Sequence, residues 1–155
     1  MQEGDDAWSN HPIAEGLQVG KRGGSMYSDT SRKHPKCGEI WMCNLVSKDK
    51  NIQSGYRPVF ILSNDKNNTY SPTVNIIPLT SNMNKAKIPV HVELWEYGKF
   101  GLKKPSLMLV EQTTTVSIYS LDVRIGCISD KAVLEKIWNA ITIQFPINQL
   151  LHIVA

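Results

Sequence analysis

The stretch GYRPVFILSNDKNNTYSPTVNIIPLT, from Gly55 to Thr80, decides how the chain folds. Two apolar runs, Val59–Leu62 and Val74–Leu79, flank a polar turn from Asn64 to Tyr70. Both runs are short and bounded by Pro, Asn and Asp, so they read as buried strands joined by a loop. Antiparallel pairing would put the start of the first strand and the end of the second at one edge of the sheet. Arg57, which opens the first run, and Thr80, which closes the second, would then be neighbours. A guanidinium beside a hydroxyl suits a phosphate. Equally, the two can be an exposed arginine at a strand end and a threonine in its usual β environment.

On either side of this stretch the pattern stays β. Glu39–Leu45, EIWMCNL, has the apolar weight of a strand, and Val46 to Tyr56 reads as an exposed polar loop. After a polar loop, Ser81 to Lys87, the segment Ile88–Leu94 alternates: Ile88, Val90, Val92 and Leu94 on one face, Pro89, His91 and Glu93 on the other. A loop from Trp95 to Pro105 carries Lys99, Lys103 and Lys104. Ser106–Val116 begins as a buried strand and turns polar at Glu111, and Arg124–Ile128 is a last short strand. Asp130 then caps a helix over Lys131–Phe145, which Pro146 stops. Leu134, Ile137, Trp138, Ile141 and Phe145 form its apolar stripe, with Trp138 expected in the core. The terminal NQLLHIVA reads as a short strand or turn. Five or six short strands followed by one helix predict a mainly β chain: a small, partly open β-barrel with a C-terminal helix.

At 155 residues the chain is expected to hold one domain and some excess. The excess is residues 1–35, rich in Gly, Ser and Asp and without periodicity, read as a disordered tail before a domain over 36–155. The opening MQEGDDAWSN lacks the basic start and apolar run of a secretory signal, and no stretch is apolar enough to span a bilayer. A cytoplasmic location without membrane attachment is expected. Cys37, Cys43 and Cys127 are an odd set that fits free thiols, and neither they nor the four scattered histidines have metal-site spacing. No metal and no cofactor are expected. The net charge of +3 is mild, but residues 1–35 carry five acids and four bases, and the remainder 13 bases and nine acids. The basic part is the part expected to fold, which permits an anionic partner.

The central block closely resembles the MazF/PemK (Kid-type) family of toxin ribonucleases from type II toxin–antitoxin modules. The resemblance is carried by GYRPVFILSND (Gly55–Asp65), YSPTV (Tyr70–Val74), LTSNMNKAKIPVHVE (Leu79–Glu93), LVEQ (Leu109–Gln112) and GEIWMCNL (Gly38–Leu45). It covers about Gly38 to Phe145. It implies an SH3-like barrel of the kind shared with CcdB, assembled as a homodimer. It also implies a metal-independent mRNA interferase that cuts single-stranded RNA at short motifs and is held in check by a MazE-like antitoxin. By position Arg57 and Thr80 match the family's catalytic arginine and threonine.

Attack by the neighbouring 2′-hydroxyl needs no nucleophile from the protein, and the transition state gathers negative charge on phosphate oxygens, which a guanidinium fork can hold. Arginine is a poor base, so its role is electrostatic. Around the pair, Gln53 and Ser54 would read base edges, Ser81 would bond phosphate, and Lys85 and Lys87 would contact the backbone. His91 would stack on a base or sit on the outer face of its strand. Gln112 falls where the family has a polar residue near the cleft, and Glu111 would orient Arg57 or be structural. One departure stands out: members often carry an arginine two positions after the Glu-Gln pair, and here that position is Thr114. Asn44 replaces a frequent Asp. Two alternatives remain on the same fold: a CcdB-like gyrase-binding toxin, whose terminal Trp-Gly-Ile this chain lacks, and an inactive barrel that still binds antitoxin.

Overall fold

A computed structural model describes residues 32–154. The expectation of a disordered tail falls almost wholly on residues 1–31, outside the described residues. From residue 32 the chain is engaged with the domain: Arg32 Nη2 donates to the carbonyls of Thr69 and Ser71 at 2.6 and 2.8 Å, and Pro35 is buried.

Among the described residues seven strands form one antiparallel sheet: β1 (Glu39–Leu45), β2 (Gly55–Ile61), β3 (Thr73–Thr80), β4 (His91–Leu94), β5 (Ser106–Leu109), β6 (Thr114–Ser117) and β7 (Leu121–Cys127). Their order is β4-β5-β3-β2-β1-β7, with β6 added beside β3. The sheet forks at β3, whose first half (Thr73–Ile76) pairs with β6 while Leu79 and Thr80 pair with β5. It does not close on itself, so a partly open, mainly β architecture is what forms.

The continuous apolar runs have a physical cause: the central strands are covered on both faces. Ile40, Phe60, Ile77 and Leu79 join Met108, Phe100 and the helix residues Ile137 and Ala140 in one core. Trp41, Cys43, Val59, Ile61, Val74 and Ile76 point the other way and pack with Ile118 and Leu121. A strand with two dry faces has no reason to alternate.

Several elements differ from the sequence expectation. The polar turn after β2 is a helical turn, α1 (Asp65–Tyr70), because the Asn64 side chain accepts from Asn67 N and caps it. Ser106–Val116 is not one strand: a 3-10 turn at Val110–Gln112 breaks it into β5 and β6. The 88–94 strand begins only at His91, leaving Ile88 exposed. The helix expected after Asp130 is present as α2 (Lys131–Gln144), with Asp130 Oδ1 accepting from Val133 N. Its buried face is Ile137 and Ala140, supported by Val133 and Ile141, and Trp138 is 64% exposed rather than in the core. The last segment is neither strand nor turn but a further helix, α3 (Ile147–Val154), which follows Pro146 directly and whose Leu150 N–H donates to the Pro146 carbonyl.

Candidate active site

The β2–β3 ladder runs Ile61–Ile76, Phe60–Ile77 and Val59–Pro78, and there it ends. Pro58 and Pro78 lack the N–H that a continuing ladder would use. Both strands run on past that point, and a cleft of about 350 Å³ lies at their ends. Continuing the register by two residues sets Arg57 opposite Thr80, and both line the cleft. Ser81, Asn82, Lys103 and Lys104 line it too, so among the described residues it holds three cations and no acid.

Arg57 is anchored by the loop that precedes it. Its Nε and Nη2 donate to the Ser54 carbonyl at 2.9 and 2.5 Å, and Nη1 donates to Gln53 Oε1. Three of five guanidinium N–H groups can be assigned to these contacts, which leaves two for a ligand. Burial draws its pKa down from the ordinary value. Arginine stays charged despite such a shift. Thr80 is prepared in a different way: its Oγ1 accepts from Asn82 N at 3.2 Å, so its own O–H remains to donate.

The loop is braced from the far side. Gln112 Oε1 accepts from Gln53 N at 2.8 Å, and Gln112 Nε2 donates to the Asn51 carbonyl at 2.9 Å. Gln112 therefore reaches the cleft through the loop that grips Arg57. Glu111, its neighbour, turns away from Arg57 and contacts His91 Nε2 at 2.7 Å. His91 Nδ1 donates to the Ala86 carbonyl at 2.8 Å, which ties down the 81–90 loop. The His91 side chain is only 7% exposed, which leaves little ring surface for stacking.

The sequence candidates thus divide. Arg57, Thr80 and Ser81 share the cleft. Gln53, Ser54 and Gln112 form the anchorage of Arg57. Lys85 and Lys87 do not line the cleft, and Lys87 pairs with Glu93 at 3.2 Å. His91 is a buried brace. Lys103 and Lys104 were missed, since only the fold of the 95–105 segment brings them to the cleft. No local sequence signal marks them, because the 95–105 segment reaches the cleft through a contact distant in sequence.

Two of the thiols are held in their neutral form. Burial pushes Cys43 up to about 11, and burial together with nearby Asp65 raises Cys37. Among the described residues, no group of three His, Cys, Asp or Glu side chains is placed to hold a metal ion. No described helix is long and apolar enough to cross a membrane.

Comparison with known proteins points one way. A model of the family described as PemK-like, MazF-like toxin of type II toxin-antitoxin system matches residues 36–145. The chain is 39% identical over 113 residues to Endoribonuclease MazF of Staphylococcus saprophyticus, a match covering 73% of this chain and 92% of that protein. Among solved structures it is similar to MazF of Deinococcus radiodurans (TM-score 0.60, 18% identity, covering 74% of this chain and 98% of the other). It is also similar to a mycobacterial endoribonuclease in complex with its cognate antitoxin (TM-score 0.56, 21% identity, 72% and 95% covered). At those identities the structural likeness concerns the fold.

Proposed function

Because the chain belongs to the PemK-like, MazF-like family of toxins of type II toxin–antitoxin systems, we propose that its cleft cuts single-stranded RNA at short sequence motifs without a metal. The observation that carries this reading is that Arg57 and Thr80 line one cleft with Lys103 and Lys104 and with no acid among the described lining residues. In the reaction, the 2′-oxygen bonds to the adjacent phosphorus and the bond from phosphorus to the 5′-oxygen breaks. A 2′,3′-cyclic phosphate and a 5′-hydroxyl result. The 2′-hydroxyl gives its proton to solvent, and the leaving oxygen gains one. Arg57 holds the non-bridging oxygens through its two uncommitted N–H groups. Thr80 donates its O–H to the same phosphate. A preorganised donor of this kind is worth about 10²–10³ in rate.

The domain over 36–155 carries the activity in the cytoplasm, as a homodimer that an antitoxin restrains. Trp138, Phe145, Ile147, Leu150 and Leu151 are exposed on α2, α3 and the turn between them, and a second copy would bury such a surface. An acidic antitoxin segment suits a cleft lined by Arg57, Lys103 and Lys104.

The test is incubation of the full chain with a long single-stranded RNA in excess EDTA, with the new ends mapped and their chemistry determined. Discrete cuts ending in cyclic phosphate are expected. Intact RNA, or cuts with 3′-hydroxyl ends, would reject the reading.

A further inference from the structure

A second cavity of about 370 Å³ adjoins the cleft. The two share Tyr56, Pro58, Leu102 and Lys103 as walls, so they lie side by side. Beyond the shared wall the second cavity is apolar, closed by Met42, Val123 and Ile125. Among the described residues no acid lines it.

Tyr56 gives this cavity its character. It is 58% exposed, yet its ring is not loose: its hydroxyl donates to Asp122 Oδ2 at 2.5 Å. That bond fastens the tip of the side chain to β7 and leaves the ring as a fixed aromatic wall. Asp122 stands behind the hydroxyl and outside both sets of lining residues. Lys103 lies at the junction of the two cavities, is exposed, and forms no ion pair among the described residues. An aromatic wall, an apolar floor and a cation at the mouth are the parts that hold an unpaired nucleotide: ring on ring, phosphate on ammonium.

We propose that the second cavity is a subsite for one unpaired nucleotide flanking the cut, its base against Tyr56 and its phosphate on Lys103. This rests on the reading of the cleft as an RNA site, and it adds a residue-level source of base preference next to the cut. A cavity built for an apolar side chain of a protein partner would not need the lysine at its mouth.

The experiment is titration of a fluorescent 2′-O-methyl oligoribonucleotide, which the chain cannot cleave, with full-length wild type, Tyr56→Ala, Tyr56→Phe and Lys103→Gln. Loss of a base–aromatic stack is expected to weaken binding by about tenfold in Tyr56→Ala. Tyr56→Phe keeps the ring and is expected to bind near wild type. Lys103→Gln is expected to lower the slope of log affinity against log salt by about 0.7. Mapped cuts on a long RNA should show relaxed base preference at one flanking position in Tyr56→Ala. Unchanged affinity and unchanged salt slope would overturn the subsite. So would RNA binding that stays intact while Tyr56→Ala loses self-association or antitoxin binding, because the cavity would then belong to a protein. The two readings fail separately: oligonucleotide binding that depends on Tyr56, without any cleavage by wild type, keeps the subsite and rejects the nuclease.

Discussion

Arg57 and Thr80 line one cleft, each two residues past the last pair of the β2–β3 ladder. Each is held by its own loop. Arg57 is gripped by Ser54 and Gln53, and Thr80 accepts from the backbone of Asn82. Both keep donors for a phosphate, and the consequences can be measured.

Gln112 braces the loop that holds Arg57, so under the proposed function it should affect the reaction through that loop. Gln112→Ala removes an acceptor from Gln53 N and a donor to the Asn51 carbonyl, so Arg57 loses its fixed seat. Turnover is expected to fall about tenfold, since misplacing a positioned group by about 1 Å can cost up to 10². Affinity for uncleavable RNA should change less than turnover. Gln112→Glu keeps the acceptor alone and should lie between. Single-turnover rates beside binding titrations decide it, and equal losses in both would show Gln112 to be a direct RNA contact.

The His91–Glu111 pair is a structural brace. Its 2.7 Å contact is mostly buried, and Glu111 Oε2 has no hydrogen-bond partner among the described residues. Removing either partner leaves the other's polar atoms stranded, at a cost on the order of 2–4 kcal/mol. His91→Ala and Glu111→Ala should each lower the unfolding midpoint in urea, and the double variant should lose less than the sum. Strict additivity would mean that the pair does not couple.

Acid should weaken the β1–β7 seam. Burial alone would raise the Glu39 carboxyl, but Lys36 N–H, Trp41 Nε1 and Arg124 overcome that and hold it below the ordinary carboxylate range. A lowered pKa adds stability above the unfolded value, near pH 4.3, and that stability is lost as pH falls through the folded value. Glu39→Gln should therefore lower Tm at pH 7 and matter progressively less below about pH 4. A Tm difference that does not shrink in acid would contradict this.

Gly101 and Gly126 allow one close crossing. A Cβ on Gly101, at φ 77°, would lie 1.8 Å from the Ile125 carbonyl oxygen, and one on Gly126 would lie 1.9 Å from that of Phe100. Alanine at either site must push backbone from backbone, at about 3 kcal/mol. The segment that carries Lys103 and Lys104 would shift with it. Thermal unfolding of Gly126→Ala within 2 °C of wild type would be inconsistent with this packing.

Much of this was legible in the chain. Val59–Leu62 and Val74–Leu79 announce buried strands because both of their faces are dry, and pairing them already sets Arg57 near Thr80. Asp130 before an apolar periodicity announces α2. The phase of that helix was harder to read: Trp138 shares the spacing of Ile137 and Ile141 but lies outside the arc that meets the sheet. The helical turn α1 was hidden because DKNNTY has no apolar face, and only the cap at Asn64 marks it. α3 could have been read from Pro146 and the spacing of Ile147, Leu150 and Leu151. Lys103 and Lys104 could not be placed in the cleft by any local rule. They arrive there through the crossing at Gly101 and Gly126, a contact between segments distant in sequence.

The most direct measurement is the single-turnover cleavage rate of one mapped RNA site by wild type, Arg57→Ala, Arg57→Lys and Thr80→Val, each with its affinity for the 2′-O-methyl analogue. Loss of Arg57 should slow cleavage by 10² or more, with lysine restoring little because a point charge cannot replace the fork. Thr80→Val should slow cleavage while the analogue still binds. Cleavage at the wild-type rate and position by Arg57→Ala would place the chemistry elsewhere.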